Sequence, residues 1–233
     1  MRSLPNRVVA VVNYRTILEA FADTGLLLRG GFVPRPDDAL DGTGAVVLIG
    51  NVGPSLWPAF MAGRRDEPDA LDRWAKRVVD PVAAGLGAVA VYPNDQPYHP
   101  FQGWAQRAET VHPSPLGLLI HPQHGLWHAY RAALLFTEAV EGLPARLNAP
   151  SPCDSCAGRP CLTACPVAAF DGVTYDVSAC AGHLGAGHDP KCADLGCRAR
   201  DACPVAPDQR YGPAQIAFHM AAFVKARGHA VRR

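Results

Sequence analysis

Apolar residues fall into two kinds of run along this chain. Uninterrupted runs of strand length occur at 8–12, 45–49 and 88–92. The middle one, Ala45-Val46-Val47-Leu48-Ile49, has no polar position at all, which predicts a strand buried on both faces and ended by Asn51-Val52-Gly53-Pro54. The first run reads as a strand or as the lead-in to a helix. Runs spaced three and four apart alternate with these. Ile17, Leu18, Phe21 and Gly25 predict a helix over 16–28, with Gly30-Gly31 as its stop. Residues 56–62 predict a short helix. Residues 69–85 predict a longer one, with Leu71, Trp74, Val78 and Val82 on one face, Asp69 in its first turn and a kink at Pro81. Strand, helix and strand in this order form a βαβ-like unit, so residues 1–148 are expected to be an α/β sandwich of two or three layers.

The polar-aromatic segment 98–106 holds Tyr98, His99, Gln102, Trp104 and Gln106 beside the expected strand ends, where open α/β sheets bind ligands. The same pattern also suits the start of an amphipathic helix with a buried Trp104. Residues 116–122 predict a strand, 123–125 a turn and 126–136 the returning strand. Alternation along that strand puts Leu126, His128 and Tyr130 on one face and Trp127, Ala129 and Arg131 on the other. Arg131 is a charge in an apolar run, and either snorkels to water or meets an anion. Prolines at 144, 150 and 152 mark 141–152 as a linker. Residues 211–227, with Pro213 at the start and Ile216, Phe218, Ala222 and Phe223 as apolar positions, predict a helix that packs back on the first domain.

Composition narrows the function classes. With 233 residues, 48% hydrophobic and 18% charged, the chain can bury a sizeable core. A net charge of +1 offers no general attraction to nucleic acid or anionic lipid. No apolar run reaches the length needed to span a bilayer. No charged, apolar and small-residue leader pattern opens the sequence, so a cytoplasmic, reducing setting is expected. Gly42-x-Gly44 is too slight to be a phosphate loop.

All eight cysteines lie between Cys153 and Cys203. They run Cys153-x2-Cys156-x4-Cys161-x3-Cys165-Pro166 and Cys180-x11-Cys192-x4-Cys197-x5-Cys203-Pro204. Thiolates are ligands for soft metals, and eight make two sets of four. Two structural zinc sites use the same ligand and remain a rival, as do disulfides in an oxidising setting. The two Cys-Pro endings resemble the run of bacterial two-cluster ferredoxins, where the proline-flanked cysteine serves the other cluster. That resemblance implies one [4Fe–4S] cluster on Cys153, Cys156, Cys161 and Cys203, and a second on Cys165, Cys180, Cys192 and Cys197. His183 and His188, in the glycine-rich stretch between Cys180 and Cys192, are expected to be loop residues.

Two wider resemblances follow. The stretch Gly117-x2-Ile120-His121-Pro122-x2-Gly125-x-Trp127-x-Ala129-x-Arg131 resembles the central motif of cobalamin-processing proteins of the cblC class, as do His99-Pro100, Ala105-Gln106 and Arg210-Tyr211. That implies a nitroreductase-like α+β fold with a cavity for cobalamin, in which the arginine matching Arg131 helps bind glutathione. The cysteine module stands where that family has none. The joining of such a fold to two clusters is similar to epoxyqueuosine reductase and reductive dehalogenase. The Gly-Trp-x-Gly-Lys-Asn segment of the former is replaced by residues 111–117, and His99 stands near its catalytic aspartate.

Together these imply an α+β protein of three parts: a nitroreductase-like sandwich over 1–148, a ferredoxin-like module over 149–207, and a returning helix over 208–233. The expected function is an iron–sulfur oxidoreductase that binds a corrinoid and passes electrons to its cobalt. His99 would be catalytic, and Gln102, Trp104, His121, Trp127 and Arg131 would hold the cofactor. A redox partner protein fits this reading; nucleic acid and membrane do not. The alternatives are an electron-transfer protein without its own substrate, or an epoxyqueuosine-reductase-like or flavin-dependent reductase.

Overall fold

Why the 45–49 run has no polar position becomes clear from where its side chains go. The computed structural model describes residues 12–185 and 190–228. The apolar run at 8–11 and His188 lie outside the described residues. Helix α1 (Tyr14–Ala20) is capped by Asn13, whose side chain accepts from the Thr16 N–H at 2.9 Å. It is shorter than predicted, because strand β1 (Leu27–Phe32) has already begun where the helical spacing still continued. Gly30 is inside that strand and stops no helix. A Cβ there would sit 2.3 Å from the Ala108 carbonyl, so its bareness permits a close backbone approach.

Strand β2 (Ala45–Val52) is followed by helices α2 (Trp57–Gly63) and α3 (Ala70–Gly85), strand β3 (Val89–Val91) and helix α4 (Phe101–Ala108). Strands β4 (His112–Pro113), β5 (Leu119–Ile120) and β6 (His128–Phe136) come next. The main sheet has the order β1-β2-β6-β3, and every neighbouring pair is antiparallel. Strands β2 and β3 therefore point the same way with β6 between them, so the expected βαβ unit is split by a strand from much later in the chain. The expected 116–136 hairpin is also not formed as such. β5 pairs with β4, β6 pairs with β2 and β3, and only a His121–Gly125 bridge closes the turn.

Alternate residues of β2 feed two cores. Ala45, Val47 and Ile49 pack with Phe21, Phe60, Trp74 and Val79 from α1–α3 on one face. Val46 and Leu48 pack with Phe101, Trp104 and Ala108 around α4 on the other. Helices cover both faces, and each large aliphatic side chain so buried contributes roughly 1.5–3 kcal/mol.

The later segment contains short helices α5 (Pro160–Thr163), α6 (Val177–Gly185), α7 (Pro190–Asp194) and α8 (Arg198–Asp201), then the long α9 (Pro213–Gly228). Phe218 of α9 meets Trp57 and Phe60 at 5.6 and 5.2 Å between ring centroids, which ties the C-terminal helix to the first core. Leu116, Ile120 and Leu126 share a third core with Ala169, Phe170 and Ala199. There Gly125 adopts φ +55°, and a Cβ on it would meet the Val205 carbonyl at 2.3 Å. The turn and the Cys203-Pro204-Val205 backbone are thus pressed together, seating the cysteine segment on the 116–126 stretch. Among the described residues no helix is long and apolar enough to cross a membrane.

Candidate redox centre and adjoining cavity

The eight cysteines, with no disulfide among them, surround two separate hollows. Cys153, Cys156, Cys161 and Cys203 line one, with Pro115 and Ile120 beside them. Cys165, Cys180, Cys192 and Cys197 line the other, a cavity of about 160 Å³ closed by Phe170 and by Met220 of α9. The chain crosses between hollows twice. Helix α5 begins one residue before Cys161 and delivers Cys165 to the other side, and α8 spans from Cys197 towards Cys203. Burial raises the Cys153, Cys161, Cys197 and Cys203 thiols, and neighbours within the same hollow add to it: Cys203 beside Cys153 and Cys161, Cys180 and Cys165 beside Cys197.

Four soft donors around one otherwise apolar hollow form a donor set that suits a cluster of irons and sulfides. A zinc ion draws its ligands onto a single point at about 2.3 Å each. Among the described residues no three His, Cys, Asp or Glu side chains are grouped closely enough to hold a metal ion as they stand.

A third hollow, of about 380 Å³, lies where β6, α8 and α9 meet. A β-bulge shapes its wall. Ile49 pairs with Ala132 and Gly50 with Tyr130, which leaves Arg131 as the extra residue on β6. The bulge reverses the alternation. Tyr130 faces the α4 side, whereas Ala132, Leu134 and Phe136 face the α1–α3 side. The expected grouping of Arg131 with Ala129 and Trp127 therefore does not carry through the strand. Arg131 donates through Nε to Asn51 Oδ1 at 3.3 Å and lines both this cavity and a smaller one of about 210 Å³ beside Asp72. Burial lowers its pKa from the usual guanidinium value, and burial raises that of Asp72.

Arg200 of α8 also lines this cavity. It donates to the Leu126 carbonyl at 2.6 Å and lies 4.2 Å from the Trp127 ring and 4.8 Å from the Tyr211 ring. His128 and His219 also line the cavity. Burial pushes them down to about 3 and about 4, so both are neutral imidazoles near pH 7. His128 Nε2 lies 3.0 Å from the Leu119 carbonyl, which accepts only, so Nε2 carries the proton and Nδ1 is the free acceptor. Behind the wall, buried Arg29 holds Glu109 through three hydrogen bonds (2.7, 2.9 and 3.2 Å), and the Tyr130 hydroxyl donates to the same carboxylate.

Gln102 lines the cavity together with Arg131. Trp127 is buried behind Arg200 and forms an edge contact with Tyr211 at 5.3 Å. Trp104 is 3% exposed in the α4 core, so the amphipathic-helix reading holds for it. His99 packs in a tilted contact with Trp104, 5.4 Å between ring centroids, and is not among the cavity-lining residues. His121 stacks on His124 at 4.2 Å and accepts the Gln123 N–H through Nδ1, again outside the cavity lining. The site thus receives Gln102 and Arg131 from the sequence-derived set, with Trp127 one layer back. Arg200 and His219 went unnoticed in the sequence. Arg200 sat in plain view inside the Cys197-x5-Cys203 gap, but no spacing rule says which way a four-residue helix turns.

No protein-family model and no curated protein sequence matches the chain. Among solved structures it is similar to a selenomethionine-labelled epoxyqueuosine reductase, with TM-score 0.50 and 14% identity over 79% of this chain and 55% of that one. Epoxyqueuosine reductase from Streptococcus thermophilus gives TM-score 0.48 and 13% identity over 83% and 69%. Epoxyqueuosine reductase with a tRNA-Tyr epoxyqueuosine-modified stem loop gives 0.45 and 16% over 79% and 56%. At such identity the first of these is a likeness of fold, and this chain spans 55% of that protein's length.

Proposed function

We propose that this protein is an iron–sulfur oxidoreductase that reduces a small molecule held in the cavity between β6, α8 and α9. The observation that carries the reading is the partition of the eight cysteines into two quartets, each around its own hollow, with α8 forming one wall of the cavity next to both. The quartets Cys153, Cys156, Cys161, Cys203 and Cys165, Cys180, Cys192, Cys197 would hold the clusters. Two [4Fe–4S] clusters supply electrons singly at low potential. The chain's own residues bind and orient the substrate: Arg131 from β6 and Arg200 from α8, the exposed Gln102, and the neutral His128 as hydrogen-bond acceptor through Nδ1. The similarity in fold to epoxyqueuosine reductase supports a reductase over a carrier without a substrate.

A cavity of about 380 Å³ takes a small molecule but not a whole corrinoid, which would have to lie across its mouth. A small-molecule substrate also suits the net charge of +1 better than RNA does.

The test is anaerobic. Iron and sulfide are counted per chain, and dithionite-reduced protein is then mixed with hydroxocobalamin or with an epoxyqueuosine-containing tRNA stem loop while cluster reoxidation is followed. About eight irons with dithionite-reducible clusters support the reading. Zinc in place of iron overturns it. Reoxidation by the corrinoid would add cobalt reduction, and reoxidation by the stem loop would move the substrate to RNA.

A further inference from the structure

Arg131 and Arg200 both line the 380 Å³ cavity, and both are half-buried. Among the described residues neither makes an ion pair, whereas Arg29, Arg77, Arg107 and Arg210 all do. Asp72 faces Arg131 from the smaller adjoining cavity, where it forms no bridge to it. Each guanidinium is held by part of its donor set only. Arg131 uses Nε on Asn51, and Arg200 uses Nη2 on the Leu126 carbonyl while its Nε is buried without a partner. Arg200 opposes the charge of Arg131, an influence smaller than the favourable ones of Tyr211 and Asp72. Buried charges are normally paired, and a guanidinium fork matches a carboxylate or a phosphate. The two histidines in the wall are neutral, so the positive charge comes from the arginines.

We infer that the cavity is an oxyanion site in which Arg131 and Arg200 together grip a carboxylate or phosphate group of the substrate, with Leu118, Leu119 and Leu126 receiving its apolar body. The inference rests on the cavity being the substrate site. It makes Arg200 the specificity residue and ties it to the redox centre, because α8 joins a cysteine of one quartet to a cysteine of the other. An anion between the arginines is therefore held by the same four-residue helix whose ends are anchored beside both hollows.

The experiment is isothermal titration of the anaerobic holoprotein with benzoate, phenyl phosphate and neutral benzamide. Benzoate or phenyl phosphate is expected to saturate at one equivalent, with benzamide at least tenfold weaker. If benzoate binds tighter the substrate group is a carboxylate, and if phenyl phosphate does it is a phosphate ester. Arg131→Gln and Arg200→Gln should each weaken the anion at least tenfold, while Arg65→Gln, an exposed arginine elsewhere, should not. Equal affinity for benzamide, absence of binding at millimolar anion, or unchanged anion affinity in both glutamine variants would each overturn the inference. The wild-type comparison of charged and neutral ligands needs no variant to fold, and iron content checks each variant. Intact clusters with no preference for anions remove the oxyanion site and leave the redox reading. Missing iron removes the redox reading whichever ligand binds.

Discussion

Asn51 is completely buried, and every polar atom of its side chain is used. Its Oδ1 accepts from Arg131, its Nδ2 donates to the Gly53 carbonyl at 3.1 Å and to the Tyr211 hydroxyl at 3.4 Å, and its backbone carbonyl takes Arg29 Nη1. It holds one arginine of the cavity and the entry to α9 at once. Asn51→Leu keeps the volume and removes the amide, leaving Arg131 and the Gly53 carbonyl without partners; chemical denaturation should show a loss of about 2–3 kcal/mol. A second residue-scale expectation concerns pH. His121 and His124 are each pushed down to about 4 by burial, against about 6.5 when unfolded. Below 6.5 the unfolded chain binds more protons than the folded one, so their contribution is full above that pH and is lost as pH falls towards 4. The thermal midpoint should decline from pH 6.5 to pH 5, and the double variant His121→Gln/His124→Gln should make that decline shallower.

At the scale of elements, the apolar runs and helical spacings gave β2, α2, α3, β3 and α9 with boundaries close to those observed, because each repeat carries its own burial pattern. β1 was hidden within a helix-like run, since Leu26, Leu27 and Leu28 continue the helical spacing of α1. The bulge in β6 was hidden too, as it arises from pairing with Gly50 on a distant strand. Helix α9 connects the parts. Phe218 enters the first core, His219 lines the cavity, and Met220 and Phe223 close the second cysteine hollow. Phe218→Ala should cost about 3 kcal/mol in denaturant unfolding. It should also speed chelator removal of iron from the Cys165 quartet more than from the Cys153 quartet, as monitored by the loss of cluster absorbance.

For the whole molecule, the decisive arrangement is that the two cysteine segments exchange one member each. Cys203→Ala and Cys153→Ala are expected to abolish the same electron paramagnetic resonance signal, and Cys165→Ala and Cys192→Ala the other, with iron falling from about eight to about four per chain in each case. Pairing of Cys203 with Cys192 in that experiment would mean the segments do not interleave. The exchange also places α8 between the quartets and Arg200 in the cavity, so one short segment adjoins both the cysteine hollows and the cavity.

The amino-acid sequence alone determined which residues form the candidate metal-ligand set, because all eight thiols are confined to 153–203. It also determined that a double-faced strand lies at the centre, because an apolar run without polar positions has nowhere else to go. Only the tertiary structure decided that β6 enters between β2 and β3, that Arg131 leaves the alternation, and that Arg200 lines the same cavity. Each of these depends on contacts between residues far apart in the chain, and local periodicity carries no record of which distant backbone will lie alongside.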